Sequence, residues 1–440
     1  MIRKRLAAVV AAASVVALVL SGCSGGSGGD VTAQAKQFTK DTKAEISFAW
    51  WGNNDRADRF KKAISLFNKK YPNIKVTRNF ASFADYWTAR NTEAAGRTLP
   101  DLMMMDPNQL SEYSRKHLLQ DLSPLRNNVM PLDGLPDSAL SVGKANGELD
   151  SVPLGTNAWS MMYNKDLLDK LKIPYPTDDM TWSELQSFVR KVDKAGASEK
   201  PSKYGSSDYT GSLPGFIYWR MQKGKRVFTK GGKPAFTQQD VVDYVDSVKD
   251  LRADGSFFPV KRNAALSPKD GFLAGQYALW FNFSTTLLQA MTDSGTDRIG
   301  IVPAPAPDGV DKHVLATHPS LLLSVSANSE QKAAAAALLN FLVTSPDVAK
   351  IFGTSLGVPE TQEARSAAAQ TNATPADKPI LQYAKYTQSQ QTPPYPELPA
   401  GYGTIETKWG DLHQQLEYGK ISSKQFAQQL FDEMSVSLGN

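Results

Sequence analysis

The chain has 440 residues, 41% apolar and 10% aromatic, which is globular material in an amount that exceeds one comfortable core, so two lobes are expected. Its 49 basic and 44 acidic side chains include Arg3, Lys4 and Arg5 of the N-terminal leader, so the rest carries 46 against 44 and is near +2. No basic stripe is interleaved with aromatics, which argues against nucleic-acid binding, and a single cysteine excludes an internal disulfide.

That cysteine, Cys23, closes Leu20-Ser21-Gly22-Cys23 after a basic start and an apolar run from Leu6 to Leu20 broken by Ser14. The run is short for a transmembrane helix and has the build of a secretory signal. The four-residue box resembles the cleavage and lipidation signal of bacterial lipoproteins, which implies a diacylglycerol on the Cys23 thiol and stable anchoring at a membrane. An ordinary signal peptide with an incidental cysteine is the competing reading. Ser24 to Gly29 is Ser/Gly only, and the polar segment to Lys43 reads as flexible tether.

Glu45 to Trp51 reads as a buried strand, with Ile46, Phe48 and Trp50 alternating. Asp55 to Lys70 reads as an amphipathic helix capped by Asn54 or Asp55, with Phe60, Ile64 and Phe67 on one face. Ile74 begins another strand, and Leu102 to Met105 is the continuous apolar run of a strand covered on both sides. This rhythm predicts an α/β lobe. Leu149 to Leu154 is a strand and Trp159 to Tyr163 continues extended, before a helix near Lys165. Thr181 to Glu184 is a capping-box start. Gln238 to Asp254 reads as one helix, Phe272 to Gly275 as a short one, and Tyr277 to Phe281 as a strand. Ile299 to Val302 and Leu321 to Val325 are strands, Ser329 to Leu342 is an alanine-rich helix, and Pro375 to Tyr402 is rich in proline and tyrosine. Leu412 to Leu438 returns to helix.

Three stretches in this order carry a resemblance: Ile46 to Phe67 with its Trp50-Trp51-Gly52 turn; Ser151 to Asn157 leading into Met162-Tyr163-Asn164-Lys165-Asp166-Leu167-Leu168; and Phe272 to Trp280 followed by Ile299 to Pro305 and Ser324 to Pro346. Together the stretches resemble the extracellular solute-binding proteins of ABC importers, most closely the carbohydrate-binding family 1 that includes maltose-binding protein. The resemblance implies an α/β, two-lobed periplasmic-binding-protein-like fold with a hinge and an interlobe ligand cleft. It implies a signal peptide over 1–22, lipidated Cys23 and linker over 23–43, a first lobe of 44–155 plus about 312–358, and a second of 156–311 plus about 359–440. The implied partners are a sugar or oligosaccharide and the permease subunits of an importer, for a monomer held outside the cytoplasm. Sugar suits such a cleft because rings cover its C–H faces and amide or acid side chains bond its hydroxyls.

The residues expected at the cleft are Trp51 and Asn53 after the first strand, and Phe83, Tyr86 and Trp87 in a loop after the second. Asp106 and Asn108 follow the Leu102–Met105 run, and Thr156, Asn157 and Trp159 flank the first crossover. Tyr218 and Trp219 lie in the second lobe, Trp280, Asn282 and Phe283 at a strand end, and His318 before a returning strand. Trp50, Trp182 and Trp409 are assigned to structure.

Catalytic and metal readings fare worse. Gly353-Thr354-Ser355-Leu356-Gly357 matches a hydrolase elbow, but a helix precedes it and Val358-Pro359 follows, the wrong context. His117, His313, His318 and His413 are dispersed and show no metal spacing. Asp178-Asp179 reads as a solvated turn, and no cofactor motif appears. A surface-anchored glycoside hydrolase is the alternative function; it needs a pair of carboxyl groups across the scissile bond, and the sequence offers no convincing pair.

Overall fold

Alternating apolar residues build β1 (Ala44–Trp51), in which Phe48 and Trp50 are fully buried. The computed structural model describes residues 30–438 except 146, 230, 268, 311–312, 372, 391–392 and 394; the signal stretch, Cys23 and the Ser/Gly run lie outside these residues. The remaining strands are β2 (Ile74–Ala81), β3 (Leu102–Met105), β4 (Lys144–Ala145), β5 (Glu148–Leu149), β6 (Val152–Asn164), β7 (Tyr204–Ser206), β8 (Tyr277–Phe283), β9 (Ile299–Pro303) and β10 (Thr317–Val325). Eight of them form one sheet in the order β2-β1-β3-β10-β6-β8-β7, with β9 also on β6, while β4 and β5 make a separate hairpin.

Two long strands make this sheet serve two lobes. The first half of β6 pairs antiparallel with β10, from Val152 opposite Leu323 to Ala158 opposite Thr317. Its second half pairs with β8 and β9, where Trp159 faces Phe283 and Ser160 faces Pro303. The first lobe's core draws on residues between Ala35 and Leu154 and between Leu321 and Leu356. The second lobe packs several smaller clusters, the largest joining the helices Leu213–Gln222, Gln238–Asp246, Tyr402–Glu417 and Ser423–Ser437.

A third connection runs beside β6. Thr156 exchanges backbone hydrogen bonds with Val358 at 2.9 and 2.8 Å. Ser320 Oγ donates to the carbonyls of Gly155 (2.8 Å) and Leu356 (2.6 Å), so one hydroxyl ties all three crossing segments. Beside it, at Pro319, β10 slips register, as expected where a residue has no N–H to give the ladder.

Several local expectations are corrected. Val31–Gln37, read as tether, is a helix capped by Asp30; its Gln34 bonds the carbonyl of Glu330 and the N–H of Ala333, so the folded part starts before Ala44. Phe83, Tyr86 and Trp87 lie not in a loop but on the helix Phe83–Gly96, capped by Ser82. Tyr86, Trp87 and Arg90 are its buried residues, at a three- and four-residue spacing. Asn53, not Asn54 or Asp55, caps the helix Asn54–Lys70. Gln238 to Asp254 divides into Gln238–Asp246 and Lys249–Ala253, and the C-terminal helix into Tyr402–Glu417 and Ser423–Ser437, the latter opened by a Ser422–Gln425 capping box. Phe272 to Gly275 is turn rather than helix. The Thr181–Glu184 capping box forms as expected.

Candidate functional site

The strands of the first lobe deliver one group of side chains at their C-terminal ends. Trp51, the last residue of β1, meets Tyr86 edge-on at 5.3 Å, Phe83 at 5.4 Å and Trp87 at 6.1 Å. Tyr86 is anchored by donating its hydroxyl to the carbonyl of Met104 at 2.6 Å, and the buried indole Nε1 of Trp87 has no partner. Phe83 is 52% exposed and forms the open edge of the cluster. Asn53 is exposed, and its Oδ1 accepts the N–H of Arg56 at 3.0 Å.

After β3, Asp106 caps the helix Pro107–Arg115 through the N–H of Asn108 at 2.8 Å. This helix packs on Tyr402–Glu417 of the second lobe, and Ser111 Oγ donates to the carbonyl of Leu398 at 2.8 Å. Asn108 lines a groove of about 570 Å³ between the two helices, opposite Thr404, Thr407 and Lys408. Behind it Glu406 is pushed up to about 7, first by burial and then by the charge of Asp106; burial likewise raises Asp106.

The crossover strands supply a second group. Thr156 and Asn157 line a cavity of about 590 Å³ whose walls include Val142 of the first lobe and Tyr383 and Thr387 of the second. Asn157 Nδ2 donates to Thr285 Oγ1 at 3.3 Å, whereas its buried Oδ1 has no partner. His318 lies directly opposite Asn157 in the ladder and lines an adjoining recess of about 90 Å³; the two spaces share Ser141, Val142 and Tyr395. Its ring stacks on Phe283 at 5.0 Å and meets Tyr395 edge-on at 4.6 Å. Burial lowers its pKa to about 4, so the imidazole is neutral, and Nδ1 is unpartnered.

Trp159 packs against Phe283 at 5.1 Å, and its carbonyl accepts the Tyr383 hydroxyl at 2.6 Å. Tyr218 is buried in the same cluster, donating to the carbonyl of Ala304 at 3.4 Å. Asn282 is held by its backbone: its carbonyl accepts Ser160 Oγ at 2.7 Å and its Oδ1 the N–H of Phe283 at 2.8 Å.

Of the expected residues, Asn108, Thr156, Asn157 and His318 line the groove, cavity and recess described above, and Trp219 and Trp280 pack elsewhere. Trp219 lies against Tyr244 at 5.3 Å with the Lys223 ammonium 3.4 Å above its ring. Trp280 stacks on Phe272 at 5.5 Å within the cluster that includes Met162, Leu287 and Ile299. Conversely, the cavities include residues the sequence reading passed over: Tyr395, Tyr383, Arg365 and Glu360. Glu360 is 7% exposed, its Oε1 has no partner, and burial pushes its carboxyl up to about 8 against the opposing charge of Arg365. The sequence signal for it is an acid directly after Val358-Pro359, where the third connection enters the second lobe. For Tyr395 the signal is the proline- and tyrosine-rich stretch itself. Ser355 sits in a turn after the helix Pro346–Phe352 and donates to the carbonyl of Phe352 at 2.7 Å, not on a strand-to-helix elbow.

A family profile of bacterial extracellular solute-binding proteins matches residues 62–380. An uncharacterised ABC transporter extracellular-binding protein of Pyrococcus horikoshii is 25% identical over 357 residues, covering 77% of this chain and 78% of its own. A periplasmic oligogalacturonide-binding protein from Yersinia enterocolitica, solved with digalacturonic acid, superposes with a TM-score of 0.76 at 20% identity, over 90% of this chain and 99% of its own. An ABC substrate-binding protein of Listeria monocytogenes, solved with cycloalternan, gives 0.74 at 20% identity over 90% and 100%.

Proposed function

Because the chain belongs to the bacterial extracellular solute-binding proteins, we propose that it captures a sugar or oligosaccharide between its lobes and delivers it to the permease of an ABC importer. We further propose that it does so while tethered outside the cytoplasm through lipid on Cys23, with lobes divided at 44–155 plus about 312–358 and 156–311 plus about 359–440. The observation that carries the reading is the cavity at the crossover strands, walled by both lobes and holding the unpartnered Asn157 Oδ1. An amide oxygen buried without a partner is unfavourable unless something donates to it, and a sugar hydroxyl is such a donor. The exposed ring of Phe83, packed edge-on against the buried Trp51, offers an apolar surface of the kind sugar rings cover.

In this reading Trp51, Phe83, Asp106, Asn108, Thr156, Asn157 and His318 line the path of the ligand, Asn53 stands at its rim, and Tyr86, Trp87, Trp159, Phe283, Tyr218 and Asn282 support these residues from behind. Closing the lobes excludes water and strengthens each polar contact. A releasable transport ligand is expected to bind at about micromolar affinity, near −8 kcal/mol.

A thermal-shift screen of the mature protein against mono- and oligosaccharides tests this, with the sugars analysed after incubation. A raised melting temperature with sugar unchanged supports capture. Steady release of products overturns it in favour of a glycoside hydrolase, and silence across the panel overturns sugar binding itself.

A further inference from the structure

Glu360 and Arg365 are the only acidic and basic side chains among the described residues that line the crossover cavity. No ion pair joins them, and Glu360 Oε1 is buried without a hydrogen-bond partner. The Arg365 guanidinium donates through Nη1 to the carbonyls of Pro359 (3.0 Å) and Glu360 (2.6 Å) and through Nη2 to Gln362 Oε1 (3.2 Å), all uncharged acceptors. Its Nε–H and one Nη2 hydrogen have no partner among the described residues. Burial works against this cation. Burial also keeps the Glu360 carboxyl protonated at neutral pH, since it stands at about 8. The wall therefore carries a positive charge with an acid O–H beside it, not a carboxylate.

We propose that the crossover cavity takes an acidic saccharide, one whose ring carries a carboxylate: Arg365 meets that carboxylate, while the Glu360 and Asn157 side chains bond the same ligand. This rests on the sugar-binding reading above and narrows it. A guanidinium without a counter-ion is completed by a carboxylate, whose oxygens match its planar edge through parallel charge-assisted hydrogen bonds. A neutral sugar offers hydroxyls but no charge and leaves the cation uncompensated. The Glu360 O–H supplies a further donor, and the orphaned Asn157 Oδ1 accepts from a ring hydroxyl. A space of about 590 Å³ falls in the range of small-molecule sites. An ionised Glu360 would set like charge beside the ligand, so capture is strong only while that carboxyl holds its proton. The groups around it do not change charge between about pH 6 and 9. Burial lowers His318 in the adjoining recess to about 4 and raises Tyr383 and Tyr395, so the first is neutral and the other two keep their protons.

The test is calorimetry on the mature protein with neutral saccharides and their matched uronates, in which a carboxylate replaces the primary alcohol, comparing wild type, Arg365→Gln and Glu360→Gln. Wild type at neutral pH is expected to bind the uronate at least about tenfold tighter than its neutral counterpart. Arg365→Gln is expected to bring the two within about threefold of each other. Between about pH 7 and 9 wild type is expected to lose about tenfold in uronate affinity as Glu360 ionises through about 8. Glu360→Gln is expected to bind the uronate about threefold more weakly at neutral pH, an amide N–H being the poorer donor, and to hold that affinity flat across the same range. A wild type that binds the neutral sugar as tightly as the uronate, or a preference that survives in Arg365→Gln, overturns the assignment and leaves sugar capture standing. Should Arg365→Gln not fold, a Glu360→Gln profile that falls with pH as wild type does overturns it equally. A wild type that binds neither sugar overturns the capture reading and this inference together.

Discussion

His413 shows how one buried residue sets the stability of the second lobe. Its Nε2 lies 3.4 Å from Asp208 Oδ1 and its Nδ1 3.3 Å from Glu417 Oε2, while Arg252 reaches Asp208 at 2.7 Å. Burial alone would lower its pKa, but the charge and hydrogen bond of Asp208, joined by Glu417, outweigh burial and hold it at about 9 against an ordinary 6.5. The imidazolium therefore stabilises the fold fully below about 6.5, and this contribution is lost as pH rises through about 9. The amount at stake is on the order of 3 kcal/mol. Urea unfolding across that window should show wild type losing stability, whereas His413→Gln starts lower and follows a flatter profile. Parallel profiles would refute the assignment. Residue identity did not announce this site, since four scattered histidines suggested nothing. His413 and Glu417 share a face of the helix Tyr402–Glu417 at a four-residue step, but Asp208 joins them only once that helix is laid beside the segment following β7.

At the scale of elements, the crossing of β6 and the third connection is a place of close backbone approach. A Cβ on Gly155 would stand 2.8 Å from the backbone of both Gly357 and Val358, and Gly357 itself has a φ of 109°. Gly155→Ala is therefore expected to cost about 2 kcal/mol or more, because backbone cannot yield as a side chain does. A melting curve unchanged from wild type would contradict the close approach. The elements also explain which site residues were legible. Positions fixed by a strand end, such as Trp51 and Asp106, could be located from the end of an apolar run. Trp280 could not, because β8 runs on to Phe283 rather than ending at Phe281, which leaves Trp280 inside the strand with its ring on Phe272. Tyr218 and Trp219 are adjacent on one helix and so diverge by about 100°, one toward Ala304 and the other toward Tyr244. Phe83, Tyr86 and Trp87 were read as loop although Tyr86, Trp87 and Arg90 already had helical spacing. Glu360 and Tyr395 left only weak local signals, the acid after Val358-Pro359 and the proline- and tyrosine-rich stretch, because the cavity they line is built from segments distant in sequence.

At the scale of the whole molecule, the order of strands and helices was legible as a two-lobed α/β fold, since apolar periodicity and the Tyr163-Asn164-Lys165-Asp166 marker are local signals. The depth and chemistry of the interlobe space were not, because they arise from segments some two hundred residues apart. The proposed tether makes its own prediction. Cys23→Ala should shift the protein from the membrane fraction to the soluble one while leaving its melting curve within about 0.5 kcal/mol of wild type, since the folded part begins near Val31. Retention of the variant in the membrane fraction would contradict the anchor. The central claim is that a saccharide is held between two lobes that close on it. Small-angle scattering of the mature protein with and without saturating saccharide measures this directly. The account predicts a smaller radius of gyration in the presence of sugar, and superimposable curves at proven saturation would contradict it.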